Sequence, residues 1–256
     1  MEQLFLSIVI PAYNEEYRLP RTLEKITSYL EAQDYRFEVI IVDDGSEDGT
    51  VRVVEDFMAT HPDLHLIRNA HRGKGYAVRT GMLGAQGKYV LFSDADLATP
   101  IEEVEKLLSF LEAGYDIAIG SREGVGARRY GEPGYRHLMG RVFNLLVRLI
   151  VLRGFRDTQC GFKCFRREVA RDLFHRVKLY GAEAGQVRGG AVTGFDVEIL
   201  LLARKAGYSV MEVPVEWYYG ANARVNLLRA PLRMFKDILK VRLNDWRGVY
   251  VEKGRR

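Results

Sequence analysis

The sequence predicts an α/β protein built on a doubly wound, mostly parallel sheet. Apolar runs alternate with stretches of helical spacing, the pattern of strands and crossover helices. The runs are apolar at consecutive positions, as in strands buried on both faces. Polar residues gather directly after them: Glu15, Asp43, Asp44, Asp94, Asp96, Ser121 and Arg122. In an open α/β sheet, ligands bind at that edge, beyond the carboxyl ends of the strands.

Phe5 to Ile10 is the first strand, and it ends at Pro11-Ala12-Tyr13-Asn14-Glu15. No G-x-G-x-x-G follows, so this is not the dinucleotide-binding version of the fold. Leu19, Leu23, Ile26 and Leu30 have helical spacing, with Pro20 near the first turn. Phe37 to Val42 is the second strand and closes at Asp43-Asp44-Gly45-Ser46. Thr50 to Met58 is a helix, and Leu64 to Ile67 a short strand. Gly73-Lys74-Gly75 then opens a helix over Tyr76 to Ala85. Tyr89 to Phe92 is the central strand. After Pro100, Val104, Leu107, Leu108 and Leu111 mark another helix, and Ile117 to Ile119 a strand ending at Gly120-Ser121-Arg122.

Beyond residue 122 the character changes. Glu123 to Pro133 is rich in Gly and Arg and reads as a mobile loop. Arg136 to Leu152 is a mostly apolar helix carrying Arg136, Arg141 and Arg148. Tyr180 to Gly194 is a second Gly-rich loop. Phe195 to Ala206 is a helix with Asp196 and Glu198 in its first turn, where carboxylates suit the dipole. Val210 to Trp217 reads as one strand. Near the C-terminus, Leu232, Phe235, Leu239 and Leu243 form an apolar stripe beside Arg229, Arg233, Lys236 and Lys240. Such a basic amphipathic helix suits either a membrane interface or a solvated face of a packed helix. The expected organisation is a catalytic domain over 1–226 followed by this helix and tail over 227–256.

Composition narrows the class of partner. The 256 residues are 47% hydrophobic, enough for one large domain or a domain with an appendage. A net charge of +4 suits anionic partners. There is no basic run with interleaved aromatics, so nucleic acid is not expected. Cys160 and Cys164 have no neighbouring His to complete a zinc site, which reads as a reduced intracellular chain. The N-terminus lacks the basic region of a signal peptide. No apolar run approaches 18 residues, so no transmembrane helix is expected.

The stretch Ser93-Asp94-Ala95-Asp96-Leu97-Ala98-Thr99-Pro100 is the chemical centre. Two carboxylates one residue apart, at a strand end, hold a hard cation; Mg²⁺ is commonly bound by one or two carboxylates plus substrate phosphates. Asp94 and Asp96 are therefore the candidate ligands for Mg²⁺ or Mn²⁺.

Together these marks resemble family 2 of the inverting glycosyltransferases, and within it the branch that uses polyprenyl-phosphate acceptors. The general marks are Val9 to Glu15, Ile41 to Ser46 and Ser93 to Asp96. Narrower ones are Gly73-Lys74-Gly75 with Ala77-Val78-Arg79, Ala98-Thr99, Gly120-Ser121-Arg122, Asp157 to Lys163, and Phe195 to Glu198. The resemblance runs from about Leu6 to Asn226. It implies the A-type glycosyltransferase fold and transfer of glucose from UDP-glucose to a dolichyl-type phosphate. It implies that Pro11, Ala12, Tyr13 and Glu15 line the nucleotide, with Asp43, joined by Asp44, accepting from the base. Lys74 and Ala95 join the donor set, and Asp96, supported by Asp94, holds the metal on the pyrophosphate. Family members often carry Gly-Ser-Lys near the phosphate; here Ala221-Asn222-Ala223-Arg224 stands instead, with Arg224 keeping the charge. Relatives linked to dolichol usually carry a membrane span at one end; none is expected here, so attachment is expected to be peripheral, at a cytoplasmic membrane face, or through a partner.

A lipid phosphate also changes what catalysis requires. Its second pKa lies near 6, so it arrives ionised and needs cations to position it more than a base to activate it. Arg122, Arg136, Arg141 and Lys163 are the candidates, with Asp196 as the fallback base. The alternatives are a GDP-mannose donor on the same acceptor and a saccharide acceptor.

Overall fold

The computed structural model describes residues 3–187, 194–220 and 229–250. The elements in chain order begin with β1 (Leu6–Ala12), α1 (Leu19–Glu31), β2 (Phe37–Asp43), α2 (Thr50–Met58), β3 (Leu64–Arg68), α3 (Lys74–Gly84) and β4 (Tyr89–Ser93). They continue with α4 (Val104–Glu112), β5 (Ile117–Ser121), β6 (Arg128–Tyr130), α5 (Gly134–Ile150), β7 (Phe162–Arg166) and α6 (Arg167–Arg176). The last are α7 (Phe195–Ala206), β8 (Val210–Pro214), β9 (Glu216–Tyr218) and α8 (Arg229–Trp246).

Seven strands form one sheet in the order β3-β2-β1-β4-β7-β5-β8. All pairings are parallel except those of β7, which runs antiparallel between β4 and β5. The mostly parallel, doubly wound architecture is therefore as expected. The order reverses between β1 and β4, which places a switch-point crevice there.

Both faces of the sheet are covered. Ile8, Ile10, Ile41 and Leu91 join Leu23, Ile26, Leu107 and Leu111 from α1 and α4 in one core. Val9, Val42, Val90 and Phe92 join Val78, Leu173, Leu200 and Ile238 from α3, α6, α7 and α8 in the other. Adjacent strand residues go to opposite cores, the period-2 rule of a pleated strand. Each fully buried Leu, Ile or Phe contributes about 1.5–3 kcal/mol.

Four segments differ from the expectation. β7 carries Lys163 as its second residue, which breaks the apolar signal of a central strand; Lys163 is nevertheless fully buried. The loop expected over 123–133 contains β6, which pairs with β9 in a separate two-stranded parallel ribbon. The single strand expected over 210–217 is two, because β8 pairs with β5 and β9 leaves the sheet for β6. Helix α6 was not among the expected elements, although Val169, Ala170, Leu173 and Phe174 are buried at helical spacing.

Helix α8 packs on α5 and α7. Ile238 and Val241 fill the core, and beyond the helix the Tyr250 hydroxyl donates to Glu198 Oε1 at 2.8 Å. The apolar stripe predicted for α8 faces outward: Phe235, Leu239 and Leu243 are exposed, as is Trp246. Arg224, the boundary at 226 and the side chains of Arg229 and Leu232 lie outside the described residues.

Candidate active site

The carboxyl edge of β1, β2, β3, β4 and β5 gathers the sequence-marked residues. Because β7 is antiparallel, Phe162 at its start lies opposite Ser93 at the end of β4. That reversal delivers Asp157 to Gly161 to the same edge. Gly161 packs so closely on Asp94 that a Cβ there would fall 2.3 Å from Asp94 Oδ2. Only glycine leaves room for the carboxylate.

Asp94 and Asp96 stand together. The Lys74 ammonium, at the first position of α3, lies 2.5 Å from Asp94 Oδ1, without the alignment of a hydrogen bond. Burial and the neighbouring Asp94 charge raise the Asp96 pKa. Lys74 is held charged: burial alone would lower its pKa, but Asp94, Asp196 and Asp96 together raise it. Thr22 donates its hydroxyl to the Ala95 carbonyl at 2.6 Å, and Ala98 N–H donates to Asp96 Oδ1 at 3.1 Å. Leu97 takes a positive φ of 44°, a local strain held by these contacts. Two hard oxygen ligands under mutual repulsion fit a divalent cation. Among the described residues no third protein ligand joins them, which leaves positions for donor phosphates.

The nucleotide end differs in detail from the expectation. Asp43 and Asp44 are almost fully buried, and protein donors fill their oxygens. Asp43 accepts from the Gly45 and Ser46 N–H groups. Asp44 accepts from Arg72 N–H at 3.0 Å, Gly73 N–H at 2.7 Å and His71 Nδ1 at 2.8 Å. The Asp43 carboxylate braces its own turn at residues 45–46, and the Asp44 carboxylate shapes the turn at residues 71–73. His71 stacks on Tyr13, with centroids 3.9 Å apart and planes 6° from parallel. His71 carried no sequence signal; only the fold brings it to Tyr13. Pro11 and Ala12 are the last residues of β1. Glu15 donates its N–H to Thr50 Oγ1 at 2.7 Å, and its carboxylate lies 3.5 Å from Arg18 Nε.

The cations expected at the acceptor are arranged unequally. Arg122 makes a two-pronged bond to buried Asp157, from Nε at 2.7 Å and Nη2 at 2.9 Å, and lies over Trp217. Desolvation opposes charge on Asp157, but the guanidinium and the Arg122 and Gln159 N–H groups hold its pKa well below the carboxylate range. Lys163 is buried against Asp196 at 2.5 Å and also donates to the Cys160 carbonyl. Neither Lys163 nor Asp196 is presented to an acceptor: they neutralise each other, which departs from the roles expected of both. Arg136 lies over Tyr219 at the start of α5, and Arg141 is exposed further along it. Next to Asp96, a cavity of about 950 Å³ is lined by Arg18, Arg21, Lys25, Tyr218 and Tyr219.

A crossover sheet with paired carboxylates at its switch-point edge is the architecture of A-type glycosyltransferases. Solved structures agree on the fold. Mannosyl-3-phosphoglycerate synthase from Rubrobacter xylanophilus has a TM-score of 0.66 at 20% identity, covering 98% of this chain and 77% of that one. Glucosyl-3-phosphoglycerate synthase from Mycobacterium tuberculosis, solved with Mn²⁺, UDP and glucosyl-3-phosphoglycerate, has a TM-score of 0.64 at 18% identity, covering 93% and 80%. Residues 7–174 match the model of glycosyl transferase family 2, and the chain belongs to that family. Curated relatives include the dolichyl-phosphate beta-glucosyltransferases of Dictyostelium discoideum and Homo sapiens. The first is 32% identical over 98% of this chain and 77% of its own length, the second 35% over 96% and 77%.

Proposed function

We propose that this enzyme transfers glucose, with inversion, from UDP-glucose to a polyprenyl phosphate of the dolichyl type at a cytoplasmic membrane face. The observation that carries the donor half is the Asp94–Asp96 pair, closed in by Lys74 and Gly161 at the switch-point edge. The near full-length likeness to dolichyl-phosphate beta-glucosyltransferases supports the sugar and the acceptor.

Asp94 and Asp96 would hold Mg²⁺ or Mn²⁺ on the donor pyrophosphate, where the bound cation neutralises charge building on the departing UDP. Lys74 adds a second positive charge at the same place. Pro11, Ala12, Tyr13 and Glu15 line the nucleotide, with His71 behind the Tyr13 ring. The acceptor phosphate attacks already ionised, which agrees with a site whose buried Asp196 is spent on Lys163. Arg136 and Arg141 reach the acceptor phosphate from α5; Arg122 keeps Nη1 outside its fork with Asp157.

A lipid acceptor also explains the surface. Helix α5 exposes Leu138, Met139, Val142, Leu145 and Leu149, and α8 exposes Phe235, Leu239, Leu243 and Trp246. Exposed Arg141, Arg148, Arg233, Lys236 and Lys240 stand on the same two helices. Apolar stripes rimmed by cations suit an anionic bilayer interface. Among the described residues no helix is long and apolar enough to cross a membrane.

The test is incubation with Mg²⁺ or Mn²⁺, polyprenyl phosphate and either UDP-glucose or GDP-mannose, with lipid products read by mass. A hexosyl-phosphate lipid from UDP-glucose alone is expected. Product from GDP-mannose alone moves the donor, and no lipid product with either donor overturns the acceptor.

A further inference from the structure

The segment from Lys178 to Val187 joins the donor turn to the C-terminal helix. At its start, Lys178 and Leu179 N–H groups donate to the buried carboxylate of Glu198 in α7. Next, Tyr180 lays its ring on Gly75. A Cβ at Gly75 would sit 2.9 Å from Tyr180 Cγ, so only glycine admits the ring at the start of α3. The Tyr180 hydroxyl donates to Asp237 Oδ2 in α8 at 2.9 Å, and Gly194 N–H donates to the same oxygen at 3.0 Å. Further on, the Ala182 carbonyl accepts from Arg72 Nη1 at 3.3 Å, and Val187 N–H donates to the His71 carbonyl at 3.0 Å. Residues 71, 72 and 75 are thus held from outside, while Asp44 holds 71, 72 and 73 from beneath. Lys74 sits inside this clamp, aimed at Asp94.

We infer that Tyr180 and Asp237 are positioning residues for the nucleotide donor. They fix the Gly73–Gly75 turn, and through it the Lys74 ammonium, from helix α8. This rests on the donor reading given above. Neither residue touches Asp94 or Asp96 in any described bond; both act through the turn. Asp237 lies on the inward side of α8, between the exposed Phe235 and Leu239 and next to the buried Ile238. One helix therefore carries both an outward apolar stripe and an inward hold on the donor turn.

The experiment measures UDP binding by calorimetry in the presence of Mn²⁺, with KM and kcat for UDP-glucose and a melting temperature for each variant. Tyr180→Phe, which removes one oxygen, is expected to weaken UDP binding about tenfold, the loss of one hydrogen bond to a charged group. KM should rise by the same factor while kcat and the melting temperature stay near wild type. Asp237→Leu should match it, and Asp237→Asn, whose amide oxygen still accepts, should restore most of the affinity. Gly75→Ala, whose Cβ would meet the Tyr180 ring, should weaken UDP binding as well. Wild-type UDP affinity in both Tyr180→Phe and Asp237→Leu overturns the inference. So does a loss of affinity that only tracks a lowered melting temperature and that Asp237→Asn does not restore. A wild-type protein that binds no UDP with Mn²⁺ overturns the donor reading and this inference with it.

Discussion

Around Asp44, three protein donors converge on one carboxylate; along α5 and α8, nine large apolar side chains from Leu138 to Trp246 stand uncovered. The first region is the closely hydrogen-bonded edge where the proposed donor would bind. The second is an open half whose apolar faces no other element covers among the described residues. The comparison is sharpest between two helices. Helix α4 buries Val104, Leu107, Leu108 and Leu111 against the sheet, whereas α5, equally amphipathic, buries only Asn144 and Val147. Helical spacing defines an apolar face; it does not say whether protein or lipid covers it.

The largest expected effect comes from the hydrogen-bonded edge. Asp96→Ala should lower transfer by about 10³-fold or more, since charge neutralisation at the leaving group is worth several kcal/mol. Binding to anionic vesicles, measured by co-sedimentation, should not change; a loss of both would end the division into halves. Next is the buried pin at the site. Lys163→Met leaves Asp196 charged and alone, and should cost about 3–5 kcal/mol in urea unfolding. Arg148→Met on exposed α5 should stay within about 0.5 kcal/mol.

The helices give the direct contrast. Leu107→Ala should cost about 2–5 kcal/mol of stability. Leu149→Ala should leave stability within about 0.5 kcal/mol. It should instead weaken vesicle binding about tenfold, the transfer of one leucine side chain. A large stability loss from Leu149→Ala would show that protein covers this face. The mildest effect is on acid stability. The folded pKa of Asp157 is depressed by Arg122, so its contribution is complete above the unfolded value of about 4 and fades as pH falls below it. Unfolding midpoints measured from pH 6 downward should drop in the wild type, and Arg122→Met should flatten that drop.

Most of the donor half was legible in the chain. Its strands are continuous apolar runs, and its carboxylates fall where those runs stop. What the sequence reading missed there is direction: Asp43 and Asp44 turn their oxygens to backbone N–H groups rather than to open space. The acceptor half was harder. Lys163 and Asp196 are 33 residues apart and each reads as an available charge; only packing shows that they cancel. His71, Tyr180 and Asp237 carried no local signal, because each acts through a partner distant in the chain.

The sequence by itself determined the strand–helix alternation, the polar strand ends, the Asp94–Asp96 pair and the amphipathic helices. These are local properties, set by side-chain period and by where apolar runs end. The tertiary structure alone decided that β7 runs antiparallel and brings Gly161 onto Asp94. It also decided which charges are spent on each other and which face of α8 looks outward. Those outcomes depend on contacts across the sheet and between helices, where burial and pairing are fixed by the whole chain at once.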